Sequence, residues 1–249
     1  MAHHTSCIHC PLRRLPLFLP HTEDELALLE SLKRREITMQ ANETLIHEGH
    51  AETRLFTLLE GWAFRFKTLS DGRRQILNFL LAGDFIGVQQ KMTDDAAHGV
   101  VMLTPARLCV FDRDAIWELH RSQPSMGFNV TWLTAHEESL VDDNLLSVGR
   151  RSAEERVATA LILLYKRAAA LRGLDDGDQG QGVPFPVTQQ HLADALGLSL
   201  AYTNKTLRRL EQRGLYRIAD GRLMLLDPKA LAQLADLYGD GKPPPRPLV

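Results

Sequence analysis

The stretch "VTQQHLADALGLSLAYTNKTLRRLEQRG", residues 187–214, contains two short helical patterns separated by a glycine. Thr188 can cap a first helix that runs to Leu196 and buries one apolar face. The letters GLS at 197–199 predict a tight turn, after which Ser199 can cap a second helix. Two short helices joined by a glycine turn form a helix-turn-helix, which places its second helix in the major groove of DNA.

The second helix is predicted to have a polar, basic outward face. Thr203, Leu207 and Leu210 fall on its buried side, since successive residues turn by about 100°. Amide and cationic side chains on the other side can reach base edges and phosphates. The residues predicted to contact DNA are Thr188, Gln190, Ser199, Leu200, Ala201, Tyr202, Asn204, Lys205, Arg208 and Arg209.

A hairpin is predicted to follow this helix. The sequence "LYRIADGRLMLLD" at 215–227 turns at ADGR, as expected for the wing of a winged helix. The alternative is a surface helix whose basic face is only solvated. Because a helix, a turn and a wing all accompany it in order, the sequence favours DNA binding.

Composition limits the other possibilities. The chain of 249 residues has 29 Lys and Arg against 31 Asp and Glu, so any attraction to DNA must come from a local basic surface. Its apolar runs are shorter than the roughly 18 residues that span a membrane, and its start "MAHHTSCIHC" has no apolar signal core. We therefore expect a cytoplasmic protein without a membrane partner.

The first half of the chain has the pattern of an antiparallel barrel. Residues 36–112 consist of short apolar runs separated by glycine turn signals. The run "WAFRFKTL" at 62–69 alternates in polarity, which predicts a strand with Ala63, Arg65 and Lys67 on a solvated face.

A helical pattern follows from about residue 112 to 172. Within it, a seam of residues keeps the alternating three and four spacing of two packed helices. The seam consists of Thr131, Thr134, Glu138, Val141, Leu145 and Val148.

The order of these motifs resembles the Crp/Fnr family of bacterial transcription regulators over nearly the whole chain. The resemblance is carried by "GDFIG" at 83–87, by "SAEERVA" at 152–158 and by the winged helix-turn-helix. It implies an α+β fold, a homodimer that binds palindromic double-stranded DNA, RNA polymerase as a further partner, and dimer contacts from Glu138, Val141, Leu145 and Val148. We expect these parts: an N-terminal cysteine-containing segment (1–22), a β-roll or barrel sensor domain like a cyclic-nucleotide-binding domain (23–126), a dimerisation helix (127–149), a Crp-type winged helix-turn-helix domain (150–239) and a disordered tail (240–249).

The chain departs from the family members that bind cyclic AMP. Val88 stands where they have a glutamate for the ribose, and no arginine lies between Gln75 and Ala106 to pair with the cyclic phosphate. A buried phosphate without a cationic partner is costly, so cyclic AMP is not expected to be the effector. In the second helix, Ala201 and Lys205 replace a glutamate and an arginine, so the DNA half-site should also differ.

The cysteines resemble those of the Fnr branch, which holds a [4Fe–4S] cluster. Cys7 and Cys10 match two of its N-terminal ligands and Cys109 matches its barrel ligand, but the third N-terminal position is Pro16. A fourth ligand would have to come from elsewhere, and the nearest histidines in sequence are His3, His4 and His9. The cysteines are therefore candidate ligands of an iron–sulfur cluster or another metal in an oxygen or redox sensor.

Two alternatives remain open for the sensor. The cysteines can be structural, with Cys109 inert in the core and the N-terminus frayed. The effector is then another small molecule, or the regulator is active without one.

An enzyme is not expected. The sequence "HEGH" at 47–50 suggests a zinc protease, but its histidines are three residues apart beside turn signals. Zinc proteases of that type need histidines four apart on a helix.

Overall fold

The structure is a computed structural model that describes residues 5–89, 95–174, 182–237 and 245–249. The chain forms two compact units. Unit 1 comprises Met1–Lys67, Phe79–Leu140 and Pro244–Val249, and unit 2 comprises Thr68–Asn78 and Val141–Pro243. Within the described ranges, no helix is both long and apolar enough to cross a membrane.

Strands and helices are largely segregated along the chain, as in an α+β fold. The strands are β1 Lys33–Met39, β2 Thr44–Ile46, β3 Arg54–Glu60, β4 Trp62–Thr68, β5 Arg74–Leu81, β6 Phe85–Ile86, β7 Gly99–Met102, β8 Ala106–Asp112, β9 Val183–Pro184, β10 Tyr216–Ala219 and β11 Arg222–Leu225. The helices are α1 Glu23–Leu32, α2 Ala115–Ser122, α3 Pro124–Arg150, α4 Ala153–Ala170, α5 Gln189–Leu196, α6 Leu200–Gln212 and α7 Pro228–Leu234, and short 3-10 helices cover Cys7–His9 and Pro11–Arg14.

The strands of the first half form two antiparallel sheets. Their orders are β1-β8-β3-β6 and β2-β7-β4-β5. Apolar side chains from both sheets, such as Phe56, Leu108 and Val100, are completely buried in one core. The predicted antiparallel sensor domain, long helix and C-terminal helix-turn-helix are thus confirmed as an α+β fold.

The turn at "GDFIG" requires its first glycine. Gly83 has a φ of 88°, in the left-handed region, and a Cβ at this position would overlap the ring of Phe18. The turn therefore fits closely against the N-terminal segment, in which Phe18 and Leu12 are buried.

Strand β4 differs from its predicted alternation. Ala63 and Arg65 were expected on a solvated face, but both are buried. The Arg65 guanidinium lies 3.3 Å from the Glu137 carboxylate on α3. Ala63 belongs to the apolar core of the two sheets, and the ion pair allows the Arg65 cation to be buried.

Unit 2 is built around α4. This helix begins at a capping box in which Ser152 and Glu155 satisfy each other's backbone N–H groups. Its buried side contacts α5, α6, α7 and β11. The strands β10, β11 and β9 form a small antiparallel sheet beside these helices.

The end of the chain is ordered. The sequence predicts disorder over 240–249, but residues 245–249 belong to unit 1. Residues 240–244 lie outside the described ranges. The Arg246 N–H donates to Leu17 O at 2.8 Å, and the Leu19 N–H donates to Arg246 O at 2.9 Å. These bonds pair the C-terminal segment with the N-terminal one.

Side chains of the C-terminal segment strengthen this attachment. The Arg246 guanidinium lies 2.6 Å from the Asp84 carboxylate, and both side chains are almost fully buried. Leu248 and Val249 are also buried, and the Thr57 hydroxyl donates to the Val249 carbonyl. The segment is therefore part of the unit 1 core.

Replacing Arg246 by alanine should destabilise unit 1 by about 3 kcal/mol, because it leaves the buried Asp84 carboxylate without its cation. Urea unfolding followed by tryptophan fluorescence measures the free energy of unfolding of unit 1 selectively, since every tryptophan lies in this unit. The tryptophans are Trp62, Trp117 and Trp132.

Arg34→Ala is the matched control. It removes an ion pair with Asp112 of similar length, 2.7 Å, whose side chains are 62% and 55% exposed. Such a pair contributes about 0–1 kcal/mol. Equal destabilisation by both variants would show that the C-terminal segment is not held by a buried ion pair.

Candidate DNA-binding surface and cysteine cavity

The helix-turn-helix forms as its local sequence predicts. Thr188 caps α5, since its hydroxyl accepts from the His191 N–H at 3.2 Å. The helix ends at Gly197, whose φ of 63° is the left-handed conformation that favours glycine. Ser199 then caps α6 by accepting from the Tyr202 N–H at 3.2 Å.

The buried side of α6 and the wing also agree with the sequence pattern. Thr203, Leu207 and Leu210 are buried in unit 2. The Tyr216 hydroxyl at the start of β10 donates to the Leu207 carbonyl at 3.0 Å, which fixes the wing to the helix. The hairpin β10–β11 turns at residues 220–221, both with positive φ.

Most of the predicted DNA contacts lie at the surface. The exposed ones are Thr188, Gln190, Ser199, Leu200, Ala201, Tyr202, Lys205, Arg208 and Arg209. In the part of the chain that the structure describes, no carboxylate pairs with Lys205 or Arg208. Their charges are therefore available to an anionic partner.

Two of the predicted contacts are arranged differently. The Arg209 guanidinium lies 2.7 Å from the Glu154 carboxylate on α4, which partly neutralises it. Asn204 is half-buried, and its Oδ1 is enclosed without a hydrogen-bond partner among the described residues. The positive charge on the outward face of α6 therefore comes mainly from Lys205 and Arg208.

The three cysteines line one cavity in unit 1, together with mostly apolar side chains. Cys109 lies on β8, where its Cα neighbours are Glu36 on β1 and Thr57 on β3. Cys7 begins the first N-terminal 3-10 helix, and Cys10 lies between the two. The other lining residues are Thr5, Arg13, His21, Leu26, Leu29, Lys33, Thr57, Leu59, Phe111, Leu248 and Val249.

Buried charges hold the N-terminal segment at the cavity. The Glu30 carboxylate on α1 accepts the N–H of Cys7, and the Glu36 carboxylate accepts the N–H of Thr5 at 2.6 Å. Lys33 lies 2.7 Å from Glu36, and both side chains are almost completely buried. The N-terminus is therefore fixed rather than frayed from Thr5 onward.

Burial keeps two of the thiols neutral in the metal-free protein. It raises the pKa of Cys7 to about 12, to which the hydrogen-bonded Glu30 adds. It also raises the pKa of Cys109 to about 11, although the Lys33 ammonium opposes this. Binding of a metal would have to release these protons.

His21 is a cavity residue that sequence analysis missed. Its Nε2 lies 2.8 Å from the Leu248 carbonyl oxygen, and its Nδ1 is buried without a partner among the described residues. Burial lowers the pKa of His21. No spacing signal identifies this residue, because its hydrogen-bond partner is 227 positions away.

The histidines named from sequence are less well placed. His9 is exposed, and His3 and His4 lie outside the described residues. Among the described residues, no group of three His, Cys, Asp or Glu side chains is positioned to hold a single metal ion. Thiolates around an iron–sulfur cluster bind different irons, so the finding applies to a site for a single ion.

Comparisons with known proteins agree with both parts of the structure. Residues 36–123 match the "Cyclic nucleotide-binding domain" family model, and residues 155–234 match the "Crp-like helix-turn-helix domain" model. The chain is 32% identical to the nitrogen fixation regulation protein FixK of Bradyrhizobium diazoefficiens over 92% of this chain and 93% of FixK. It is 29% identical to the transcriptional activator protein FnrL of Cereibacter sphaeroides over 94% of this chain and 92% of FnrL.

Solved structures share the fold. FixK2 from Bradyrhizobium japonicum aligns with a TM-score of 0.70 and 24% identity over 80% of this chain and 96% of that structure. A CooA mutant from Carboxydothermus hydrogenoformans aligns with a TM-score of 0.66 and 16% identity over 88% of this chain and 99% of that structure.

A sensor-type barrel joined to an exposed helix-turn-helix defines a DNA-binding transcription regulator rather than an enzyme. The chain belongs to the Crp/Fnr family.

The raised pKa values predict slow alkylation of Cys7 and Cys109. Because iodoacetamide reacts with thiolate, both residues in the metal-free protein at pH 8 should react at least about tenfold more slowly than in the urea-unfolded chain. Peptide mass spectrometry measures each site separately. Equal rates in the folded and unfolded states would contradict the burial of these thiols.

Proposed function

We propose that this regulator binds palindromic DNA as a homodimer and that its DNA affinity follows oxygen or redox state through Cys7, Cys10 and Cys109. The observation that carries the sensing role is that all three thiols line one cavity. They come from two segments separated by about a hundred residues, and incidental thiols need not meet in this way.

The surface of α3 supports the homodimer. Val141 is 38% exposed and Leu145 is 71% exposed, although both are apolar. Glu138 is exposed beside them and Val148 is half-buried. A second copy of α3 would cover these side chains, and two-fold symmetry would then present two recognition helices to a palindromic site.

Further partners follow from the relatives. AadR of Rhodopseudomonas palustris is named a transcriptional activatory protein, and FnrL is named a transcriptional activator. An activator acts through RNA polymerase, which we include as a partner of this regulator. Its work on DNA would take place in the cytoplasm.

The donor set of the cavity supports an iron–sulfur cluster as the sensing group. Such a cluster, when bound, would supply reactivity toward oxygen. Cys7, Cys10 and Cys109 would hold it as thiolates, and the apolar lining would limit access of water.

A path of contacts connects the cavity with α3. Glu30 on α1 holds the backbone of Cys7, and Glu25 on the same helix accepts from the Ser125 hydroxyl at the start of α3, at 2.6 Å. A movement of the N-terminal segment would shift α1 and therefore the first turn of α3. Pairing of the α3 helices, and with it DNA affinity, would change.

The second candidate is a regulator of the same family whose cysteines are structural. The burial of Cys109 and its raised pKa favour this reading. The effector would then be another small molecule, or none. Cyclic AMP is not expected in either case, because Val88 and the arginine-free stretch from Gln75 to Ala106 provide no partner for its phosphate.

Substitutions on α6 should separate base reading from phosphate binding. Lys205→Ala should weaken specific binding by about 1–3 kcal/mol and flatten the preference at one position of each half-site. Arg208→Ala should weaken binding to all sequences alike and reduce the salt dependence. Selection from randomised DNA followed by titrations at several salt concentrations measures both effects.

Lys166→Ala serves as the control, since Lys166 is an exposed cation on α4 of the same unit. It should leave affinity and preference unchanged. If Lys205→Ala behaves like this control, the outward face of α6 does not read DNA.

Protein purified without oxygen tests the sensing role. We expect a brown protein with iron and sulfide, whose colour and DNA affinity change on exposure to air. Cys109→Ser should remove the colour and the response. Colourless, metal-free protein whose DNA affinity ignores reductant and all three Cys→Ser changes would favour structural cysteines.

A further inference from the structure

The cavity of the three cysteines contains one nitrogen donor that the sequence motifs do not indicate. His21 lies just before the Thr22 cap of α1 and lines the cavity with Cys7, Cys10 and Cys109. The three thiols leave one corner of a four-iron cluster without a cysteine. His21 is therefore a candidate for that corner.

The hydrogen bond of His21 decides which ring nitrogen is available. A carbonyl oxygen can only accept, so the bond to Leu248 O places the proton of a neutral ring on Nε2. Nδ1 then carries a lone pair. This atom is buried without a hydrogen-bond partner among the described residues, an arrangement that costs free energy unless something binds there.

The same arrangement is typical of histidines that bind metals. Such a histidine donates its second ring N–H to a carbonyl or carboxylate, which fixes the tautomer and the ring orientation. Here the carbonyl belongs to Leu248, whose segment is anchored by the Arg246 ion pair with Asp84. The C-terminal segment thus holds the ring of His21 in place.

Other polar groups near the cavity are engaged or cannot bind iron. Arg13 Nη1 donates to the carbonyls of Cys7 and Ile8. Its Nε is buried without a partner among the described residues, but a guanidinium N–H only donates and so offers no lone pair. The Lys33 ammonium donates to Glu36 and to the Thr5 carbonyl. The Glu30 carboxylate accepts from the backbone of Cys7. His9 is exposed on the N-terminal 3-10 helix.

We propose that His21 Nδ1 is the fourth protein ligand of an iron–sulfur cluster bound by Cys7, Cys10 and Cys109, with Leu248 O as the acceptor that orients the ring. The inference rests on the cluster-binding role proposed above. On binding, the three thiols release their protons to solvent, whereas His21 binds through its free lone pair and keeps its proton on Nε2.

The experiment is reconstitution of the full chain without oxygen, with equal amounts of ferric and ferrous iron and with sulfide. The iron and sulfide content per chain is measured. The cluster is then reduced with dithionite and examined by pulsed electron paramagnetic resonance. We expect a strongly coupled nitrogen in the unaltered protein. Iron, sulfide and coupling should all be retained in His9→Ala, the matched control.

Two variants test His21 directly. His21→Ala should lose most of the iron and sulfide. His21→Cys should keep both, since a thiolate can replace the ring, but should lose the nitrogen coupling. Urea unfolding by tryptophan fluorescence checks that both variants fold, and His21→Cys keeps the test decisive if His21→Ala does not.

The outcomes separate the two proposals. A cluster without nitrogen coupling in the unaltered protein, or coupling that persists in His21→Cys, overturns the role of His21 and leaves cysteine-based sensing intact. Failure of the unaltered protein to take up iron and sulfide overturns both.

Discussion

Unit 1 depends on the pairing of β8 with β1 on one side and β3 on the other. This register places Glu36, Cys109 and Thr57 next to one another across three strands. Cross-strand neighbours project from the same face of a sheet, so these three side chains share one side. A slip of one residue would turn Cys109 to the opposite face and separate it from the N-terminal cysteines.

The N-terminal and C-terminal segments both attach near the row formed by Glu36, Cys109 and Thr57. Glu36 and Lys33 hold the N-terminal segment, and Thr57 hydrogen-bonds the carbonyl of Val249. The backbone of Arg246 joins the two segments to each other. Formation of the cavity therefore requires both the register of β1, β8 and β3 and the attachment of the two terminal segments.

The helix-turn-helix could be predicted because its signals are local. The caps at Thr188 and Ser199 act on N–H groups three residues away, and Gly197 adopts the turn conformation by itself. The antiparallel barrel was similarly visible in its glycine spacing. Backbone preferences within a few residues are enough to specify such elements.

The remaining features depend on partners far away in the sequence. Arg65 was expected in solvent, and only the approach of Glu137 on α3 explains its burial. Arg209 has the pattern of a DNA contact, but Glu154 on another helix lies beside it. The attachment of Arg246 to Asp84 spans 162 positions. Periodicity carries no information on contacts of this range.

Charge is distributed differently in the two units. In unit 1, Lys33, Arg65 and Arg246 are buried and each is matched by a carboxylate. On α6, Lys205 and Arg208 remain exposed, and no carboxylate of the described residues pairs with them. A chain with a net charge of −2 can thus still present a local positive surface.

The position of the C-terminal segment has a consequence for the order in which the protein matures. Leu248 and Val249 form part of the cavity wall, yet they are synthesised after the whole DNA-binding unit. At about 5–20 residues per second, the ribosome needs roughly 7–27 s to pass from Asp112, the end of β8, to Leu248. During that interval the nascent barrel contains its cysteines but lacks Leu248 and Val249, which complete the lining of the cavity. The cavity is completed only once Leu248 and Val249 have been synthesised, when the helix-turn-helix has already had time to fold.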